Sequence, residues 1–402
     1  MSKISYSILY IADIHGPKLI QARGIKRNLS LAGYTKVCAI AESLRLFGHR
    51  VTILSFGSPA EDSGKNFPAM QELIQQSHGD GLKVIYVRAI DIKILRDFYS
   101  GLYTLFKLPS LIRQNSIDTV IVYNLSIANL LLATVSKILG CNVFFEYEDS
   151  IRISRNGPKF ILLKWFTGGY EALARQLARG SISASIELSQ AFKSDRQLII
   201  PGILGRDIND LSAYPRAGVW DSSRPIRLIY AGGLDHSKGL DRFLGALLSM
   251  NSSYPIEMRI CGTGPQESLI KEMCERSGGQ VQFLGLVSRE ELLNQLMWAD
   301  VGINPHRSDL HNGGTWPFKV VEYLATCGTV FCSNTNYIGD DLAAQLFLYE
   351  GNSESQIRDA LHVFFNQWPK LSTAIESRRK WALGKYSLEA IGSELNALLQ
   401  EH

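Results

Sequence analysis

Short apolar runs alternate with segments whose apolar residues recur every three or four positions, almost from end to end of the chain. Ile8 to Ala12 is the first run. Val37, Ile40, Ala41, Leu44 and Phe47 then share one face of a helix predicted over Thr35 to Phe47, which Gly48-His49-Arg50 breaks before a strand at Val51 to Leu54. Val84 to Val87, Thr119 to Tyr123, Val143 to Tyr147 and Ser181 to Ala184 continue the series. Short apolar strands between amphipathic helices predict a parallel sheet covered on both faces. The stretch 202–224, rich in glycine, proline and polar residues, interrupts the pattern and reads as a linker. A second series follows at Ile226 to Tyr230, Glu257 to Cys261, Val281 to Leu284, Val301 to Asn304, Thr329 to Ser333 and Gln345 to Leu348. The fold class is therefore α/β, with two parallel-sheet domains at 1–201 and 225–385. Near the end, Ile357 to Trp368 is amphipathic, Pro369 is expected to break it, Ser372 to Gly384 is charged, and a last helix spans about Leu388 to Gln400. Ligands of open α/β sheets sit at the carboxyl ends of the strands, so the default active site is the cleft between the two domains.

Composition narrows the class. Apolar residues make up 46% of 402 and charged residues 20%, which excludes a disordered chain. The formal net charge of +4 is too small to argue for nucleic acid, and none is expected as a partner. Six scattered cysteines form no CxxC pair, so neither a zinc site nor a redox motif is indicated, and reduced buried thiols in a cytoplasmic protein are expected. The N-terminus reads as a first strand rather than a signal peptide. The longest uncharged stretch, Thr119 to Ser136, is interrupted by Asn124, Ser126 and Asn129. It reads as a buried strand and helix, so no membrane span is predicted.

Two segments are suited to hold phosphate. In the first, the strand ending at Ala231 runs into Gly232-Gly233, and after Lys238-Gly239 a helix carries Leu240, Phe243, Leu244, Leu247 and Leu248 on one face. A glycine turn lets a phosphate approach the backbone, and a helix N-terminus offers free N–H groups and a positive dipole end, to which Lys238 adds a full charge. A plain strand-to-helix turn with a solvated lysine has the same composition. In the second segment, Gly313-Gly314 precedes Thr315-Trp316-Pro317-Phe318-Lys319, and the backbone N–H groups from Gly314 to Phe318 are placed to face an anion. Glu322, a turn into that helix, either faces solvent or accepts hydrogen bonds from a ligand's paired hydroxyls.

These segments, together with Gly262-Thr263-Gly264-Pro265, Phe283-Leu284-Gly285 and Ala299-Asp300 in register, resemble the donor domain of GT-B nucleotide-sugar glycosyltransferases, in particular the retaining family four. Gly33-Tyr34 and Gly48-His49-Arg50-Val51 are similar to that family's acceptor domain, and Pro201-Gly202-Ile203 to its turn into the linker. Arg378 to Leu399 is similar to its closing helices, which implies that the last helix, about 386–402, returns to the first domain. The resemblance implies that Lys238 binds the donor diphosphate and Glu322 the ribose hydroxyls. It also implies that the backbone from Leu284 to Val287 holds the base, near Gly262 and Gly233, and that Gly33 lets the phosphates approach the first domain. No metal is needed in such a scheme. The only cofactor-like ligand is the nucleotide-diphosphate sugar itself.

The chain departs from the family in two places. Gly233 stands where the family has arginine, which makes Lys319 the nearest replacement cation. Gly314 stands where the family has the first of two glutamates, for which Asp309 or Asn312 would have to substitute. On the acceptor side, Glu148-Asp149 follows the strand Val143 to Tyr147 at a place where the family often has histidine and aspartate. Glu148 is thereby implied in contact with the transferred sugar or acceptor hydroxyl, against the plainer reading of a solvated acidic loop. Asp13 and His15, after the first strand, face the same expected cleft. His306 and His311 have a poor metal spacing, so no metal is assigned. Two stretches, Asp91 to Arg113 and Pro158 to Arg179, mix cations with aromatics. They read either as ordinary core helices or as a surface resting on a membrane that carries a lipid-linked acceptor. The expected function is transfer of a sugar, with retention, to a glycan or lipid-linked hydroxyl in surface polysaccharide or glycolipid assembly, at the inner face of the cytoplasmic membrane. A nucleotide-sugar epimerase of the same fold and a non-catalytic nucleotide-sugar-binding subunit are the alternatives.

Overall fold

The structure is a computed structural model. It describes residues 5–25, 31–59, 62–74, 81–93, 95–149, 161–209, 220–250, 255–310, 318–335 and 338–400. The chain divides into two compact units, Met1–Arg206 with Leu388–His402, and Asp207–Ser387.

In chain order the first unit runs β1 (Ser7–Ile11), α1 (Pro17–Arg23), α2 (Leu31–Leu46), β2 (Arg50–Ser55), β3 (Asn66–Phe67), β4 (Met70–Ile74), β5 (Leu82–Tyr86), β6 (Ala89–Ile90), α3 (Arg96–Gln114), β7 (Thr119–Tyr123), α4 (Ile127–Ile138), β8 (Asn142–Tyr147), α5 (Ile161–Leu177), β9 (Gly180–Ser183), α6 (Ile186–Phe192) and β10 (Gln197–Ile199), with α7 (Arg206–Asn209) at the boundary. The main sheet has the order β10-β9-β8-β7-β1-β2-β5-β4. Its pairs are parallel except β4 with β5. Every residue of β1 is buried, as helices on both faces require. The strand order reverses between β1 and β7. Right-handed crossovers therefore put α2 on one face and α3, α4 and α5 on the other.

The second unit runs β11 (Ile226–Ala231), a 3₁₀ turn (His236–Lys238), α8 (Leu240–Leu248), β12 (Ile256–Cys261), α9 (Glu267–Arg276), β13 (Val281–Gly285), α10 (Arg289–Trp298), β14 (Val301–Asn304), α11 (Lys319–Thr326), β15 (Val330–Ser333), α12 (Asp340–Ala343), β16 (Phe347–Tyr349), α13 (Glu354–Thr373) and α14 (Ile375–Tyr386). Its sheet is wholly parallel, in the order β13-β12-β11-β14-β15-β16, and reverses between β11 and β14. Leu228, Phe243, Phe331, Phe364 and Trp368 are among the side chains that fill its core.

The last helix, α15 (Leu388–Gln400), packs on α2 of the first unit. Gly392 allows the approach, since a Cβ there would lie 2.8 Å from the Phe47 ring. His49 fixes the join. Its Nδ1 accepts from the Tyr6 N–H at 3.1 Å, and its Nε2 donates to Asn396 Oδ1 at 3.1 Å. Burial pushes the His49 pKa down, which keeps the ring neutral.

The structure departs from the sequence expectations in three elements. Pro369 does not end a helix but lies inside α13, which continues to Thr373. The buried Phe364, Phe365, Trp368 and Ser372 hold both sides of the proline in one core, and the Arg378 guanidinium donates to the Leu371 carbonyl at 2.7 Å. The edge strand β4 and the ribbon β3–β6 were not expected. Part of the expected linker is helical, at α7, while 210–219 lie outside the described residues. All six cysteines are free, five of them buried. Among the described residues no helix is long and apolar enough to cross a membrane.

Candidate functional site

The two points where strand order reverses are where a doubly wound sheet opens a crevice at its carboxyl edge. In the second unit this point lies between β11 and β14. The turn after β11 is latched to its neighbours through backbone. Gly232 N–H donates to the Cys261 carbonyl at 3.0 Å, Leu234 N–H to Thr263 at 3.0 Å, and Gln266 N–H to Leu234 at 2.9 Å. Gly262, at φ +152°, makes this approach possible: a Cβ there would lie 1.9 Å from the Gly232 carbonyl oxygen. Across the switch point, a Cβ on Gly239 (φ +68°) would lie 2.2 Å from the Pro305 carbonyl oxygen, and Arg307 N–H donates to Ser237 at 3.1 Å. Gly233 is different, with open space beside it and only Asp235 Oδ2 at 3.6 Å from its ideal Cβ.

Lys238 ends the 3₁₀ turn that Asp235 caps through the Ser237 N–H at 3.0 Å, and α8 begins two residues later. Among the described residues, the Lys238 ammonium has no hydrogen-bond or ion-pair partner. Lys319 is committed instead. Its Nζ donates to Glu322 Oε2 at 2.5 Å, while Arg289 Nη1 donates to Glu322 Oε1 at 2.6 Å and Arg289 Nε to Asp207 Oδ2 at 2.6 Å. Glu322 is 2% exposed. Burial alone would raise its pKa, but the charges of Lys319 and Arg289 outweigh burial and bring it down to about 2. With Asp207 on Arg289, the cluster holds two cations and two carboxylates and is balanced in charge at the start of α11. The helix is held there by Tyr323, whose hydroxyl accepts from the Ala231 N–H at 2.7 Å. The ring fits because residue 302 is glycine.

Leu284 and Val287 flank Gly285 at the carboxyl end of β13, next to the Gly262 turn, whose N–H donates to the Gly285 carbonyl at 2.8 Å. Phe318 caps α11. Gly314, Thr315, Trp316 and Pro317, with Asn312, lie outside the described residues. Asp309 is paired to Arg307 Nη2 at 2.5 Å, a hydrogen bond that holds its carboxyl below the usual range.

In the first unit the corresponding switch point lies between β1 and β7, beside the end of β8. Asn124, at φ +57° just after β7, accepts from the Glu148 N–H at 2.8 Å and the Asp149 N–H at 3.1 Å, fixing that strand end. Glu148 Oε1 receives Lys36 Nζ at 2.5 Å, and the same ammonium donates to the Ile200 carbonyl at 3.1 Å. Glu146 lies behind, fully buried, with Oε2 accepting from the Tyr10 hydroxyl and Lys36 only at 3.9 Å. Among the described residues its Oε1 has no hydrogen-bond partner. Burial, with the adjacent Glu148 charge, pushes the Glu146 pKa well up, so this carboxyl keeps its proton. Gly33 lies in the first turn of α2, one turn before Lys36. Asp13 and His15 turn to the loop after β2: Asp13 Oδ1 accepts from the Ser58 N–H at 3.3 Å, and His15 Nε2 donates to the Ser58 carbonyl at 3.0 Å.

The structure thus brings Lys319 and Glu322 together in one unit and fixes Glu148 and Asp149 in the other. It adds Lys36, Asn124, Glu146, Arg289 and Arg307, which the sequence reading did not nominate for the site. Arg289 directly follows the Leu284-to-Val287 segment and Ser288, so extending that segment by two residues would have found it. Among the described residues, no three His, Cys, Asp or Glu side chains group as a metal site.

Residues 219–381 match the family model of glycosyl transferases group 1. The whole chain is similar in fold to sucrose-phosphate synthase from Thermosynechococcus elongatus, at 15% identity and TM-score 0.64, covering 98% of each chain. It is similar also to a glycosyltransferase from Rickettsia africae, at 13% identity and TM-score 0.63, covering 99% of this chain and 100% of that one. A third is HepE of Anabaena in complex with UDP, at 15% identity and TM-score 0.61, covering 98% of this chain and 99% of that one. No curated protein matches the sequence. The group 1 match covers most of the second unit, and the fold is that of the GT-B glycosyltransferases over almost the full length.

Proposed function

We propose that the protein transfers a sugar from a nucleotide-diphosphate sugar to a hydroxyl of a glycan or lipid-linked acceptor, with retention, during surface polysaccharide or glycolipid assembly at the inner face of the cytoplasmic membrane. The observation that carries the reading is the second unit's switch point. There Lys238, with no partner among the described residues, stands near Gly233, which has open space beside it, and Lys319 and Arg289 are held in place by Glu322. A nucleoside diphosphate has the complementary chemistry, and UDP is the ligand of the HepE structure.

In this scheme Lys238 and the N-terminus of α8, together with Lys319, neutralise the diphosphate. Each Glu322 oxygen keeps a lone pair beyond its cation, enough to accept from the two ribose hydroxyls. The backbone from Leu284 to Val287 faces the base. As the sugar–phosphate bond breaks, charge grows on the departing diphosphate, which takes the proton of the attacking acceptor hydroxyl on the same face. Positive charge directed at that phosphate is the main demand on the protein, and no cofactor enters. Glu148, held by Lys36 and Asn124, accepts from a hydroxyl of the acceptor or transferred sugar, with Asp149 beside it and Asp13 and His15 also on the acceptor side.

Product analysis with nucleotide sugars and a mixed oligosaccharide and polyprenyl-phosphate-sugar acceptor panel tests the proposal. A new glycoside of the donor's anomeric configuration is expected, its formation lost in Lys238→Ala. An isomerised donor, or a donor left unchanged with every acceptor, would contradict it.

A further inference from the structure

The layer of helices on one face of the first unit's sheet has an unusual outer surface. On α3, Phe98, Leu102 and Phe106 recur every four residues, so they project from one side. They are 70%, 42% and 77% exposed. On the adjacent α4, Leu131 and Ile138 are 50% and 78% exposed, and on α5 Trp165 is 73% exposed. The helices are close neighbours: a Cβ on Gly101 of α3 would lie 3.2 Å from the Ala128 Cβ of α4, and α4 packs on α5. Apolar side chains scattered singly on a surface need no explanation, but aligned on contiguous helices they form a face that something covers.

The charges say what covers it. The three helices carry six basic residues, Arg96, Lys107, Arg113, Lys137, Lys164 and Arg175, against two acidic ones, Asp97 and Glu171. Glu171 is fully buried, its carboxylate taking the Tyr147 hydroxyl. The surplus on this one layer equals the +4 of the entire chain. A second copy of the same face would set like charges against each other, which disfavours self-association. A bilayer with anionic headgroups suits both features at once: the aromatic and aliphatic side chains enter the boundary of the acyl region, while Lys107, Arg113 and Lys137 pair with lipid phosphates. We propose that the α3–α4–α5 layer is a docking surface for an anionic membrane. The inference does not depend on the glycosyltransferase reading of the strand-end sites.

Flotation with vesicles tests it. The wild-type chain is expected to float with phosphatidylcholine vesicles containing roughly one-third phosphatidylglycerol, and to stay in solution with phosphatidylcholine alone. Phe98→Glu/Phe106→Glu abolishes flotation. Lys107→Glu/Arg113→Glu, which leaves every apolar side chain in place, weakens it by at least roughly 25-fold, from about 1 kcal/mol per cation near an anionic surface. Both variants retain wild-type thermal unfolding and nucleotide response, since all four residues are exposed and lie outside the strand-end sites. Failure of the wild type to float, flotation of the Phe98→Glu/Phe106→Glu variant, or a solution dimer that the same substitutions dissociate would overturn the proposal.

Discussion

Glu146 and Glu322 are carboxyls of the same type, both almost completely buried near the carboxyl edge of a parallel sheet, and they hold opposite charge states. Glu322 has a guanidinium and an ammonium at hydrogen-bond distance. Glu146 has a tyrosine hydroxyl, and Lys36, at 3.9 Å, is closer to Glu148. Desolvation acts on both in the same direction, toward the neutral acid. Cations within contact reverse it at Glu322 and leave it standing at Glu146. Charge at a buried site is thus decided by the neighbours and not by burial. The consequence is a second-unit cluster of fixed, paired charges, and a first-unit cluster with a neutral acid behind Glu148.

Making the same amide substitution at both positions separates them most sharply. Glu322→Gln strands two cations against a neutral side chain and is expected to cost about 3 kcal/mol in denaturant unfolding; full loss of a buried partner costs about 3–5. The value falls at the low end because Arg289 and Lys319 can reach water. Removing the cation of the other site comes next. Lys36→Met leaves the Glu148 carboxylate without its cation, in front of the buried neutral Glu146, and is expected to cost about 2 kcal/mol at neutral pH. The loss shrinks as the pH falls, since protonation of Glu148 in the variant removes the uncompensated charge. An unfolding series at two pH values would show it, and a loss independent of pH would mean Lys36 acts only through packing.

The wild-type pH profile carries the same contrast with a smaller signal. The folded pKa of Glu322 is depressed, so its stabilisation is present above the ordinary 4.5 and is lost as pH falls through about 2. The folded pKa of Glu146 is raised, so its contribution is full below 4.5 and is withdrawn as pH rises toward the folded value. The acid-side slope is expected to flatten in Glu322→Gln and to remain in Glu146→Gln. Smallest of all is Glu146→Gln at neutral pH, within about 1 kcal/mol of wild type, because an amide replaces a neutral acid of the same shape and still accepts from Tyr10. A loss as large as that of Glu322→Gln would show that Glu146 is ionised.

How far the residues announced this arrangement differs between the sites. The parallel sheets were legible because Ile8 to Ala12 is buried on both faces and apolar throughout, and Ile226 to Tyr230 is apolar but for the half-buried Arg227. Strand β4 was not, since Gln71 and Glu72 sit in it. Glu72 is buried because its carboxylate accepts the Lys18 N–H at 3.0 Å at the start of α1, a contact across 54 residues that no local pattern carries. Glu322, Lys319 and Lys238 could be nominated because they stand beside glycine turns and helix starts. Lys36 could not. A lysine next to Val37 reads as the solvent side of its helix, and its role comes from Glu148 and Ile200, 112 and 164 residues on. Pro369 misled for a related reason: the core side chains flanking it outweigh the hydrogen bond that the proline removes.

The central claim is that the second unit binds a nucleotide-diphosphate sugar through Lys238 and its neighbouring turns. Thermal unfolding of the wild type and of Lys238→Ala, each with UDP-, GDP-, ADP- and dTDP-sugars, tests it most directly. One nucleotide class is expected to raise the wild-type midpoint by about 5 °C at saturating concentration, and the variant's midpoint by much less. No stabilisation by any of the four, or equal stabilisation of the Lys238→Ala variant, would contradict the account.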